Sequence, residues 1–283
     1  MKRPILIFIT ILVIASLACS ININIPSPKV GEKQTLEISE AAPSQTPAQL
    51  SIAMGGGKLN IQPGGDKLVQ GSVEYNVADW KPVITRDGNS VRIEQKIANG
   101  IPLSKGLGNI TNNWTLLIGN VPTDLSIEAG AYEGKIDLSG VPLTNLKITD
   151  GASQAQVTFD KPNPERMDTL TYETGASNIK LTGLANANFD VMNFRGGAGN
   201  FTLDFTGKLS RDAQVNVNGG LGNLTIIVPK GSNARIVLGA SLNNVSTEGV
   251  WTVEGQEYRV TGEGPVLRID MNVGVGNLNL INK

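Results

Sequence analysis

Histidine is absent from the 283 residues, cysteine occurs once, and aromatic residues make up only 5% of the chain. Without histidine there is no imidazole for a metal centre or a Ser/Cys–His nucleophile pair. A single cysteine closes no internal disulfide. Few aromatics beside 33 glycines argue against a sandwich with a bulky core and for short strands joined by tight turns. A basic excess is also missing, since 24 Lys and Arg face 25 Asp and Glu, so nucleic acid has no electrostatic footprint here. Beyond the N-terminus no stretch repeats apolar residues at 3.6-residue spacing, so helix should be scarce. The 40% apolar content still suffices for a core of ordinary size.

What is present begins with an export segment. Lys2 and Arg3 precede an apolar run from Pro4 to Leu17, and small residues lead on to Cys19. The run is too short for a comfortable membrane span. Ser16-Leu17-Ala18-Cys19 resembles the lipobox of bacterial lipoproteins, although the Leu expected three places before the cysteine is Ser16 here. That resemblance implies cleavage before Cys19, a lipid on its sulfur, and a chain held at the outer face of the cell membrane or at an outer membrane. A signal cut elsewhere and an uncleaved anchor remain alternatives. Removal of residues 1–18 takes away two positive charges, leaving 22 basic against 25 acidic residues, a net −3. Residues 19–49, rich in Pro, Ser, Glu and Gln, read as a lipid-anchored flexible tether.

From about residue 50 one cassette recurs: alternating apolar residues, a polar step, a glycine, then alternating apolar residues again. Its anchor glycines are Gly55, Gly130, Gly151, Gly175, Gly197, Gly220 and Gly274, and those from 130 to 220 are spaced 21, 24, 22 and 23 residues apart. A period near 22 with strand-like alternation is that of a β solenoid, whose coils bury their apolar faces only by stacking. Ile136/Leu138, Val157/Phe159, Ile179/Leu181, Phe201/Leu203 and Leu224/Ile226 are expected to form columns in the core. Glycine at each corner would admit positive φ and close approach of coils. Asn178, Asn200, Asn223 and Asn277 each follow an anchor by three places and could hydrogen-bond from coil to coil, with Glu133 and Gln154 in the earlier coils.

Residues 50–115 read as a separate leading unit, with a hairpin signal at Arg86-Asp87-Gly88-Asn89. Residues 116–283 read as the solenoid, interrupted near 246–265 by a hairpin with Trp251 and Tyr258 that should cover a flank or cap the end. Near Gly239 the repeat weakens and Leu242 takes the Asn place.

The run MGGGKLNIQPGGDKLVQGSVEY resembles the N-terminal toast-rack domain of bacterial envelope proteins. The segments VPTDLSIEAGAYEGKIDLSGVPLTNLKITDGASQAQVTF and LTGLANANFDVMNFRGGAGNFTLDFTGKL look like the β-roll that follows it. The resemblance spans roughly residues 50–283. It implies a right-handed parallel β-helix and kinship with putative adhesins and with membrane proteins that restrain a sensor kinase under cell-wall-active antibiotics. This chain lacks the several membrane helices of the latter.

Other motifs point to no chemistry. GGAGNF and GGLGNL resemble Ca²⁺-binding nonapeptides, but the Asp position holds Phe201 and Leu224. GGGKL at 55–59 lacks phosphate-loop spacing. Asp137 and Asp204 sit between inward positions and should point to solvent, and Asp124, Asp150 and Asp190 recur nearby. Acids gathered from adjacent coils would suit a polysaccharide-cleaving enzyme. The insert DKPNPERMD (160–168), with Lys161 and Arg166, reads as a turn or a partner-binding loop. The expectation is therefore a non-catalytic envelope lipoprotein without cofactor or metal, a binding or structural module serving adhesion or envelope-stress sensing. Its partners would be the membrane, through the lipid on Cys19, and an envelope polymer or protein, with no nucleic acid. The alternatives are a polysaccharide-active β-helix enzyme and a self-assembling scaffold.

Overall fold

The computed structural model describes residues 29–95, 109–239 and 244–283; Cys19, the export segment and Leu242 lie outside the described residues. The described chain is all-β. Sixteen strands form one sheet, and the helical turns among the described residues are short 3-10 turns at Ala78–Trp80 and Leu184–Ala187.

Its body is a stack of long parallel strands: β2 (Ala48–Pro63), β7 (Thr123–Asp137), β8 (Leu143–Thr158), β9 (Met167–Thr182), β10 (Phe189–Asp204), β11 (Ala213–Val228) and β16 (Val266–Asn282). Each lies beside the next in that order, so Ala131 pairs with Ala152, Gln154 with Asn178, Asn178 with Asn200, and Asn200 with Asn223. Burial changes phase in mid-strand. In β9 Leu170, Tyr172 and Thr174 are buried, then Ser177, Ile179 and Leu181. Because side chains alternate sides of a strand, this slip of one residue at Gly175 means that the strand bends there and turns both halves inward. The interior so formed is one continuous apolar cluster from Ile38 to Leu280.

The inward columns differ from the expected ones by one step. Ile136 and Val157 stand beside Leu181, Leu203, Ile226 and Leu280, whereas Ile179, Phe201 and Leu224 stand beside Gly134 and Ala155. Equal distance from the bend glycine sets the register, and the loop lengths do not.

Both ends of the stack split. On β2, the first half pairs with β5 (Ser90–Glu94), which forms a hairpin with β4 (Val83–Asp87) through Gly88 and Asn89. The second half pairs with β6 (Asn112–Ile118), followed by β3 (Val69–Val77) and β1 (Val30–Glu40). β1 corrects the tether expected over 19–49: residues 30–40 are a strand, and β2 begins at Ala48. Only Ile38 of β1 is deeply buried, because an edge strand is held by backbone bonds to β3 and shows little apolar alternation. The boundary expected at 115/116 falls inside β6, and the core runs across it.

At the far end β16 lies between β11 and β12 (Asn233–Leu238), while β13 (Val245–Glu248) pairs with its second half. The last strand in sequence is therefore not the last rung. The hairpin of β14 (Thr252–Glu254) and β15 (Glu257–Val260) adds to β12 and closes that edge.

Candidate functional site

The glycines at the bend form a column. A Cβ placed on Gly130 would lie 2.2 Å from the carbonyl oxygen of Gly55, and one on Gly151 2.9 Å from that of Gly130. The same oxygen of the preceding rung lies 2.3 Å from a Cβ on Gly175, 2.6 Å on Gly197, 2.3 Å on Gly220 and 2.5 Å on Gly274. Close approach of backbones therefore demands these glycines. Positive φ, expected at the anchors, occurs two places later, at Gly199 (146°) and Gly222 (132°), where the chain recovers from the bend.

Just inside the bend lies a buried carboxylate. Asp150 continues the inward series Leu146, Ile148 and is 6% exposed. Tyr172 donates to its Oδ2 at 2.8 Å and Tyr132 to the same oxygen at 3.5 Å. Thr174 donates to Oδ1, and Ser177 approaches the same atom at 3.4 Å. Among the described residues no ion pair reaches Asp150. Burial, then the nearby carboxylate, pushes the Tyr132 hydroxyl well above the usual tyrosine range; Tyr172 rises for the same first reason, with Tyr132 and Asp150 adding to it. Beyond β9 the cluster ends: Gly196 replaces the inward Thr174, and the ring of Phe201 fills the space, 5.3 Å from Phe194.

Outside the bend runs an open groove of about 660 Å³, lined among others by Asp150, Glu173, Arg195, Asn218 and Asn272. Arg195 is bonded to Glu173 at 2.6 Å, so the exposed charges here already satisfy each other. Asp137 and Asp204 lie elsewhere: each accepts the backbone N–H two residues on, from Ser139 and Thr206, and caps the turn after its strand. Phe201 and Leu224, at the Ca²⁺-motif Asp position, are buried. In the insert 160–168, the buried Asn163 donates to the carbonyls of Leu143 (2.8 Å) and Ala187 (3.1 Å), while Arg166 clasps Asp190. That segment is a wired turn.

The second half of each long strand carries an exposed amide ladder. Asn200 donates to the Oδ1 of Asn178 at 2.9 Å, Asn223 to Asn200 at 2.7 Å, and Asn277 to Asn223 at 2.7 Å. Asn244, which sequence spacing missed, completes the row by donating to Asn277 at 3.0 Å. It belongs to the rung of β13, whose place beyond β16 no periodicity reveals. Toward the start, Gln154, Glu133 and Lys58 occupy the same column. A shorter ladder, Asn216 to Asn193 at 2.9 Å, lies on the opposite face.

Residues 25–181, more than half of the chain, match the family model described as the N-terminal domain of toast_rack, DUF2154. The chain belongs to the toast-rack family. The match crosses residue 115, in keeping with a core that does the same. Among curated proteins none matches the sequence. A putative cell adhesion protein from Clostridium sporogenes is similar over 89% of this chain and 99% of its own, with 20% identity and a TM-score of 0.47. A putative lipid binding protein from Parabacteroides distasonis covers 89% of this chain and 97% of its own, with 12% identity and a TM-score of 0.22. At those values neither likeness carries an inference about this toast-rack protein.

Proposed function

We propose that this toast-rack protein is a non-catalytic binding or structural module of a bacterial envelope, exported and held at a membrane by lipid on Cys19. Right-handed winding in coils of about 22 residues belongs to the same reading. The observation that carries it is the state of the charged groups at the bend. Asp150 is committed to four hydroxyls and Glu173 to Arg195, while the long outer faces of the strands present fixed polar groups to solvent. An acid–base pair needs carboxyls free to exchange protons with a substrate. A sticky or sensing surface needs rigid, repeated contacts instead.

The competing enzymatic reading rests on one observation, the presence of Asp150, Glu173 and Arg195 along one groove. The test separates the two. A strain lacking the protein is compared with strains restored by the native chain, by Cys19→Ser, and by Asp150→Asn with Glu173→Gln. The expected result is altered adhesion or altered tolerance to wall-targeting antibiotics, rescued by the native chain and the double variant but not by Cys19→Ser. A phenotype rescued by Cys19→Ser but not by the double variant would overturn the proposal, and so would no phenotype in either assay.

A further inference from the structure

The exposed face carrying the amide ladder has a second row beside it. Thr202, Thr225, Asn279 and Ser246 stand in register from β10 to β13, with Ser246 donating to the Oδ1 of Asn279 at 2.6 Å. On the other side of the ladder, next to the bend, Ala176, Ala198 and Leu221 follow one another, and Leu221 is 60% exposed. The face thus carries a short apolar strip over β9 to β11, with the asparagine ladder beside it and the hydroxyl-bearing row on the ladder's far side, and the two polar rows hold no charged residue from β10 to β13. The opposite face is different in kind, with Arg195–Glu173 and Arg235–Glu257 pairs and Asp270 bonded to Gln214.

Each inner ladder asparagine, Asn200, Asn223 and Asn277, spends one N–H and one oxygen lone pair on its neighbours. The other N–H and lone pair remain available. Because the ladder fixes the amide planes, a ligand that meets them restricts few additional rotamers. The rows repeat at the rung spacing of about 4.8 Å, close to the rise per sugar in an extended β-linked glycan; the four rungs from β10 to β13 span about 15 Å, and Lys180 of β9 is the next residue of the second row. A sugar ring offers an apolar C–H face beside its hydroxyls, which matches an apolar strip beside amide and hydroxyl rows. An uncharged array gives a polyanion or an anionic headgroup no counter-charge.

We infer that this face binds a neutral, extended β-linked polysaccharide laid along the stack, parallel to the asparagine ladder. The inference rests on the surface-module reading and names the partner class. The full-length protein in detergent is tested for co-sedimentation with amorphous cellulose and chitin, with insoluble carboxymethylcellulose and phosphocellulose as charged probes. Retention on a neutral polymer is expected. It should weaken at least about tenfold, the loss of two or three hydrogen bonds, in Asn200→Ala/Asn223→Ala and again in Thr202→Val/Thr225→Val, which keeps side-chain shape. Asn193→Ala/Asn216→Ala, on the opposite face, should bind like the native chain. No retention on either neutral polymer overturns the inference, as does preference for the charged probes or equal loss in the opposite-face variant. If glycan binding fails while the deletion strain keeps its adhesion or antibiotic phenotype, the partner assignment falls and the surface-module reading stands. Glycan binding without any such phenotype upholds the partner assignment and removes the adhesion and stress-sensing role.

Discussion

Adding one methyl group to the glycine column tests what holds the rungs at their spacing. On Gly220 the new Cβ would lie 2.3 Å from the carbonyl oxygen of Gly197, well inside van der Waals contact. That oxygen belongs to sheet backbone and cannot swing aside as a flexible side chain would, so β10 and β11 must separate locally. Overpacking of this kind costs about 1–3 kcal/mol, and the entropy lost by the unfolded chain on gaining a Cβ returns about 0.4–1 kcal/mol. A net destabilisation of about 1–2 kcal/mol follows. At about 2–4 °C per kcal/mol for a chain of this size, that is a fall in Tm of roughly 2–8 °C. Gly31→Ala provides the comparison, because its Cβ would meet only the oxygen of Asn76, at 3.6 Å, and should be neutral or slightly stabilising. Gly151→Ala, at 2.9 Å, should fall between them. Thermal unfolding followed by circular dichroism ranks the three. Equal Tm values for Gly220→Ala and Gly31→Ala would refute the close-approach argument.

Alkali should attack the bend. The Tyr132 and Tyr172 hydroxyls are raised in the folded chain, so their contribution is fully present below the ordinary tyrosine value of 10.0 and is lost as pH climbs beyond it, when the unfolded state ionises first. Tyrosinate absorbance should rise together with loss of sheet signal; two tyrosines titrating normally in folded protein would contradict this. Acid should loosen the end hairpin. Arg235 and then Arg259 hold Glu257 down to about 2 from 4.5, so stability is present above 4.5 and drains away as pH falls toward 2. The protection of the β15 amides against hydrogen exchange, relative to the unfolded chain at the same pH, should fall across that window in the native chain and show no such step in Glu257→Gln.

Much of the architecture is legible in particular residues. The glycine period and the alternation around it announce stacked rungs, and the asparagines three places after Gly175, Gly197, Gly220 and Gly274 announce a shared column. The bend itself is written as a slip of phase, since Leu170, Tyr172, Thr174 and Ser177, Ile179, Leu181 fall on opposite parities. Asp150, expected only as one of several recurring acids, shares the parity of the inward Leu146 and Ile148, and its partners Tyr132, Tyr172 and Thr174 come from neighbouring rungs. β1 was concealed by its composition, because a strand paired on one side and burying a single isoleucine leaves hardly any pattern.

By itself the sequence determined the repeated unit: alternation and glycine are local demands of strand geometry and backbone clearance, and each cassette states them without reference to the others. Only the tertiary structure decided the order and closure of the stack. Parallel pairing joins residues through backbone bonds that are nearly indifferent to side chain, so nothing local says that β16 slots between β11 and β12, or that Asn244 extends the ladder. The inward carboxylate likewise acquires its meaning from hydroxyls one rung away, which come within reach only when separate segments share the same interior.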